Sequence, residues 1–156
     1  MPREPVYLTT PLFYVNAEPH LGHTYVTLVA DVLGRFWRAR GRSAFVLTGT
    51  DEHGDKIAQA AAAAGVSPRE HADRVSAIFR STWDAAGLRY DHFIRTTDAY
   101  HVAFVQKVLA DIHAKGDIYF DSYRGLYCFG CERFYQEREL VGGLCPDHRI
   151  APTEIA

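Results

Sequence analysis

At 156 residues the chain has room for one domain or slightly more, and 47% hydrophobic against 23% charged residues fits a globular protein with a real core. With 17 Lys and Arg against 19 Asp and Glu the net charge is −2, which excludes a global basic field for nucleic acid, and no apolar run is long enough to span a bilayer. The N-terminal Met-Pro-Arg-Glu-Pro leads straight into a strand and lacks the apolar core of a signal peptide, so the cytoplasm is the expected location, with no membrane partner.

Val6 to Thr10 is short, apolar and β-prone, and reads as a buried strand. Residues 11–22 read as a long loop. From about His23 to Arg40 the pattern is helical, with Val26, Val29, Ala30, Leu33 and Trp37 on one face and Gly41 as the stop. Ser43 to Thr48 is a second apolar strand. Strand, helix and strand with short joints make a βαβ unit with parallel strands. The loop 11–22 and the loop Gly49–Gly54 then both leave the carboxyl edge of the sheet, where ligands of open α/β sheets bind, and are expected to face one pocket.

Asp55 to Ala64 reads as an Ala-rich helix closed by Gly65. Ser67-Pro68-Arg69-Glu70 has the form of a capping box and opens a helix through Ala72, Val75, Phe79, Trp83 and Ala86. Phe93 and Ile94 suggest a short strand. Asp98 to Lys115 is a further long helix, expected to turn Val102, Val105, Leu109 and Ile112 inward. Beyond Gly116 the texture changes to Tyr, Gly and Cys, with alternating runs at Ile118–Phe120 and Leu126–Cys128. A domain of residues 1–116 and a small β-rich insert of residues 117–156 built around a metal are expected. Ile150 to Ala156 shows no element that would finish a domain.

Cys128-x2-Cys131, then thirteen residues, then Cys145-x2-His148 gives two close pairs of ligands able to close a tetrahedron around zinc. All four positions come from protein, so the metal is structural, and neighbouring glycines permit the tight knuckle turns. His20 and His23 flank Gly22 where the first helix begins. A helix N-terminus presents unpaired N–H groups and the positive end of its dipole, and imidazoles there suit a phosphate whose charge grows during a reaction. Asp51, ending the second strand, is either the N-cap of the next helix or an acceptor for a cationic substrate group. Glu52, His53 and Gly54 read as structural, and His71, His92, His101 and His113 as ordinary surface or packing residues. Arg35, Arg38, Arg40 and Arg42 read as a solvated helix end.

Thr9-Thr10-Pro11-Leu12-Phe13-Tyr14-Val15-Asn16 with Pro19-His20-Leu21-Gly22-His23 resembles the first signature of class I aminoacyl-tRNA synthetases, with Leu21 in place of isoleucine. The block Leu47-Thr48-Gly49-Thr50-Asp51-Glu52-His53-Gly54, the run Leu126-Tyr127-Cys128 and the Cys/Cys/Cys/His knuckle narrow this to methionyl-tRNA synthetase of the bacterial type. The resemblance implies a Rossmann-like α/β parallel sheet, the first half of the class I catalytic domain, carrying a zinc-knuckle insert. It implies a methionine–tRNA ligase that uses ATP and Mg2+ to turn L-methionine into methionyl-adenylate and then charges tRNA(Met). By the same resemblance His20 and His23 are catalytic and bind ATP phosphates. Gly22 and Asn16 border the nucleotide, and Leu12, Tyr14 and Asp51 hold methionine. Cys128, Cys131, Cys145 and His148 hold one zinc ion. The family's second signature, Lys-Met-Ser-Lys-Ser, is absent: the only methionine is Met1 and the lysines are Lys56, Lys107 and Lys115. The resemblance therefore implies the first part of the enzyme, incomplete for catalysis alone. Two other readings are a non-catalytic zinc-knuckle module on a nucleotide fold, and a different nucleotidyltransferase with a His-x-Gly-His element.

Overall fold

The computed structural model describes residues 4–155; Met1–Arg3, which the sequence reading ran into the first strand, and Ala156 lie outside the described residues. The chain divides into two compact units, Met1–Gln106 and Lys107–Ala156. Among the described residues no helix is long and apolar enough to cross a membrane.

The first unit runs β1 (Val6–Thr9), β2 (Phe13–Tyr14), α1 (Leu21–Ala39), β3 (Ala44–Asp51), α2 (Asp55–Ala63), α3 (Pro68–Ala85), β4 (His92–Arg95) and the start of α4 (Ala99–Ala114). It is the expected α/β arrangement with a parallel sheet. β3 is its spine. β1 pairs with Ala44–Leu47 along one side, β2 takes up the same side at Thr50 and Asp51, and β4 pairs with Leu47–Thr50 along the other. The expected unbroken loop 11–22 is corrected by β2. The cause is the length of β3, which runs to Asp51 rather than stopping at Thr48. Its last residues would leave unpaired backbone groups, and Phe13 and Tyr14 satisfy them.

Side chains alternate along β3. Val46, Thr48 and Thr50 are buried toward the helices, whereas Phe45 is exposed. A Cβ on Gly34 of α1 would come within 2.7 Å of Val46 Cγ2, so the glycine lets α1 lie flush on the sheet. The core gathers Phe13, Val15, Ile57, Ala72, Val75, Phe79, Trp83, Leu88 and Phe93. Phe13 stacks on Phe79 with centroids 5.6 Å apart and meets the edge of Trp83 at 5.8 Å. Ser67 caps α3, its hydroxyl accepting from the Glu70 N–H at 3.2 Å, with Pro68 in the first turn.

Two expected helix faces are corrected. In α1 the buried residues are Thr27, Ala30, Asp31 and Gly34, a stripe turned by about one residue from the apolar one, and Val26, Val29 and Leu33 are exposed. Close approach selects small side chains, and Asp31 is admitted because Arg35 grips its carboxylate at 2.6 and 2.8 Å. Burial raises the Asp31 carboxyl, but hydrogen bonds from Arg35 and the Arg89 backbone and their charges leave it below the ordinary range. In α4 no residue is buried; Val105 and Leu109 are exposed. The arginines expected to be solvated are engaged as well. Arg38 donates to the Ala44 carbonyl at 2.9 Å and to Asp91 at 2.6 Å, and Arg42 donates to the Glu4 carbonyl at 2.6 Å.

The second unit holds a three-stranded antiparallel sheet, β6 (Arg133–Tyr135), β5 (Gly125–Cys128) and β7 (Thr153–Ile155) in that order, with a 3-10 turn at Glu137–Glu139. The expected β-rich insert is present with two corrections. Ile118–Phe120 forms no strand, and the tail, expected to hold nothing that finishes a domain, supplies β7, because Thr153–Ile155 fills the free edge of β5.

Candidate active site and metal centre

α1 begins two residues earlier than its apolar periodicity indicates, because His20 and His23 cap it. The His20 Nδ1 accepts from the Gly22 N–H at 3.1 Å, and the His23 Nδ1 accepts from the His20 N–H at 3.2 Å. This is a capping box built from imidazoles. It also fixes the protons. A ring nitrogen that accepts from a backbone N–H carries no hydrogen, so in each neutral ring the hydrogen sits on Nε2. Each imidazole thus keeps one Nε2–H as a donor at the positive end of the helix. The rings stack 3.8 Å apart, and His23 packs against Phe13 and Phe79 at 5.0 and 5.4 Å. Partial burial, followed by the His20 charge, lowers the His23 pKa from 6.5 and favours the neutral form. A Cβ on Gly22 would lie 2.9 Å from His20 Cε1, so the glycine makes room for the folded-back ring.

Asp51 is the last residue of β3, and the N-cap of α2 is Gly54, so the capping alternative for Asp51 is not realised. Thr50 turns to the helix side, where its hydroxyl meets Ser76 at 3.0 Å. By alternation Asp51 points to the opposite face, beside its register partner Tyr14. There it borders a cavity of about 360 Å³, largely apolar, with His53, Thr96, His101, Val102, Val105 and Gln106. Neither His20 nor His23 lines it. The structure brings His20, Gly22 and His23 together at one face of the carboxyl edge, and Tyr14 with Asp51 at the other. Leu12, Tyr14 and Asn16 are exposed around the same edge.

Glu52, expected to be structural, fixes this edge; sequence reasoning missed its partners. The Glu52 carboxylate is fully buried and accepts two N–H bonds from Arg95, at 2.7 and 2.8 Å, with hydroxyls from Thr97 at 2.5 Å and Thr50 at 2.7 Å. Burial raises its pKa, but the bonds from Arg95, Thr97 and Thr50 and the Arg95 charge outweigh it and hold the carboxyl below its usual range. Arg95 is raised in turn, chiefly by its bond to Glu52. It also reaches Asp73 at 2.5 Å, and the Glu52 N–H donates to Thr96 at 2.8 Å. Arg95-Thr96-Thr97 leaves a third parallel strand at the same edge, which the sequence shows. His71, read as ordinary, is buried and bonds the Val15 carbonyl at 2.9 Å, while the Val15 N–H donates to the Asp51 carbonyl at 3.3 Å.

In the second unit the ligand atoms of Cys128, Cys131, Cys145 and His148 all lie within 4.8 Å of one another. A tetrahedral ion with thiolate bonds near 2.3 Å sets its donors roughly 3.5–3.8 Å apart. Cys131 Sγ lies 3.3 Å from Cys145 Sγ and 3.1 Å from His148 Nδ1, and Cys145 Sγ lies 4.0 Å from His148 Nδ1. The residues fit a metal ion. The residue after each close pair, Glu132 and Arg149, takes a positive φ of 53° and 54°. Gly142 and Gly143, just before the second pair, take positive φ of 60° and 79°, as the Gly-rich stretch leads one to expect. Gly130 serves otherwise: a Cβ there would lie 2.7 Å from His148 Cδ2, so the glycine seats the ring.

The profile of the family described as tRNA synthetases class I (M) matches residues 6–154. The chain is 48% identical over 147 residues to the methionine–tRNA ligase of Clostridium perfringens, covering 94% of this chain and 23% of that protein. It is 49% identical over 148 residues to the chloroplastic/mitochondrial methionine–tRNA ligase of Arabidopsis thaliana, covering 94% and 24%. Its fold matches the Mycobacterium tuberculosis methionyl-tRNA synthetase solved in complex with methionyl-adenylate, with a TM-score of 0.89 and 43% identity over 98% of this chain and 31% of that one. The chain spans about a quarter of the length of the curated relatives it matches. A parallel sheet whose first helix is capped by His20 and His23, a Cys3His cluster, and a family match along nearly its whole length place the chain among the class I tRNA synthetases, in their methionyl-tRNA synthetase family.

Proposed function

We propose that this chain is the first part of a methionine–tRNA ligase, with residues 1–116 as the first half of the nucleotide-binding domain and residues 117–156 as the knuckle insert. The observation that carries the reading is the imidazole pair: two Nε2–H donors, their tautomers set by backbone caps, at the positive end of a helix. A methionine carboxylate oxygen attacks the α-phosphorus of ATP, the bond to the bridging oxygen breaks, and pyrophosphate leaves. Charge gathers on phosphate oxygens, and His20 and His23 donate to them. Each such donor is worth about 3–4 kcal/mol of barrier.

Asp51 accepts from the methionine ammonium, with Leu12 and Tyr14 forming the wall of that subsite. Gly22 takes the adenosine and Asn16 borders the phosphate. The opposed faces suit an elongated product lying over the ends of β2 and β3, its amino-acid end at Asp51 and its nucleotide end at α1. Cys128, Cys131, Cys145 and His148 hold a structural zinc ion, which cross-links the two knuckles when bound. Mg2+ enters with ATP, tRNA(Met) is the acceptor, and the compartment is the cytoplasm.

The test is methionine-dependent exchange of labelled pyrophosphate into ATP by the full-length protein. His23→Ala is expected to slow exchange by roughly two to three orders of magnitude with little change in methionine affinity. Exchange driven by another amino acid, or equal losses in rate and methionine binding, would overturn the assignment.

A further inference from the structure

Beyond the four ligands, the knuckle holds a buried polar side chain. Tyr135 on β6 is 5% exposed, packed with Cys128, Cys145, Cys131 and Leu140. Its hydroxyl donates to Cys131 Sγ at 3.1 Å, lies 3.5 Å from Cys145 Sγ, and is 3.4 Å from Asp147 Oδ2. The Arg133 guanidinium sits 4.1 Å from the ring centroid, drawing electron density toward the cation.

A phenol has one proton to give. With Cys131 ionised as a ligand, the nearest acceptor is its sulfur. Three thiolates and one neutral imidazole around a divalent ion leave an excess negative charge on sulfur, and hydrogen bonds to sulfur offset it. Cys145 Sγ receives such a bond from the His148 N–H at 3.5 Å.

We propose that Tyr135 is a positioning residue of the metal centre: its O–H holds the Cys131 thiolate in place and sets how tightly the ion is kept. This rests on the reading of the Cys3His cluster as a metal site. Groups that bond to ligands in this way typically contribute roughly 10–100-fold to affinity.

The experiment uses the 156-residue chain loaded with Zn2+ or Co2+. Tyr135→Phe keeps the ring and removes only the hydroxyl. The variant is expected to lose zinc to a chromophoric chelator with an affinity about 10–100-fold weaker than wild type. Its sulfur-to-cobalt charge-transfer band is expected to move to lower energy, because an unbonded thiolate is easier to oxidise. Replacing Tyr135 by 3-fluorotyrosine, a stronger donor of the same shape, should move the band the other way, a graded readout that lost packing would not give. A wild-type chain that binds neither ion sinks the metal reading itself. A wild-type chain that binds both, with bands and affinities unchanged in both variants, overturns the role of Tyr135 alone.

Discussion

The buried pair at the carboxyl edge makes the sharpest demand on this fold. Arg95→Met keeps an unbranched apolar stem, ends short of the guanidinium, and so removes both N–H bonds to Glu52 and the bond to Asp73. The Glu52 side chain is 0% exposed and that of Arg95 20%. Removing one partner of a buried ion pair costs about 3–5 kcal/mol, since the other charge stays uncompensated. The hydroxyls of Thr50 and Thr97 remain, and Arg95 is partly solvated, which puts the expectation near the lower end, about 3 kcal/mol. For a chain of this size that is a fall in Tm of roughly 6–12 °C. Urea unfolding followed through the fluorescence of buried Trp83 measures it. The pH dependence adds a signature. The Glu52 carboxyl is depressed in the folded state, so its stabilisation is complete above the unfolded value, about 4.3, and lost as pH falls through the folded value. The gap between wild type and variant should be steady near neutrality and close in acid. A loss below about 1 kcal/mol at pH 7 would refute the reasoning, because it would mean the carboxylate is not dry.

Two further outcomes follow from other sites. A Cβ on Gly49 would lie 1.9 Å from the Ile94 carbonyl oxygen, so Gly49→Ala should part β3 from β4 at a cost of at least about 3 kcal/mol; an unchanged melting temperature would contradict the register. The His23 ring should titrate below 6.5 by NMR, and stability should rise with pH between its folded value and 6.5, where the unfolded chain holds more protons; a midpoint at or above 6.5 would mean the ring is neither desolvated nor paired with His20.

The parallel sheet was legible from the strand-helix-strand order, and the cap at Ser67 and the paired knuckle ligands because each depends on neighbours a few residues apart. The buried face of α1 was not. Its apolar stripe is real but stays exposed, and the contact with β3 is chosen by closeness at Gly34, a quantity absent from any periodicity. Strand alternation sets Asp51 opposite Thr50, but which face is buried is shown only by the fold, where Val46, Thr48 and Thr50 turn inward. Glu52 with Arg95, and His71 with Val15, join residues 43 and 56 positions apart, and no local pattern announces such pairs.

Asp51 and Glu52 are chemically near-twins joined by one peptide bond, yet the pleat sends one to the border of a cavity and the other into a sealed clamp. Parity divides their labour. Deleting or inserting a single residue at this corner would exchange them, leaving the clamp to close on the wrong acid and the cavity to face an occupied one. A change of length at this corner should therefore cost as much as a change of either acid.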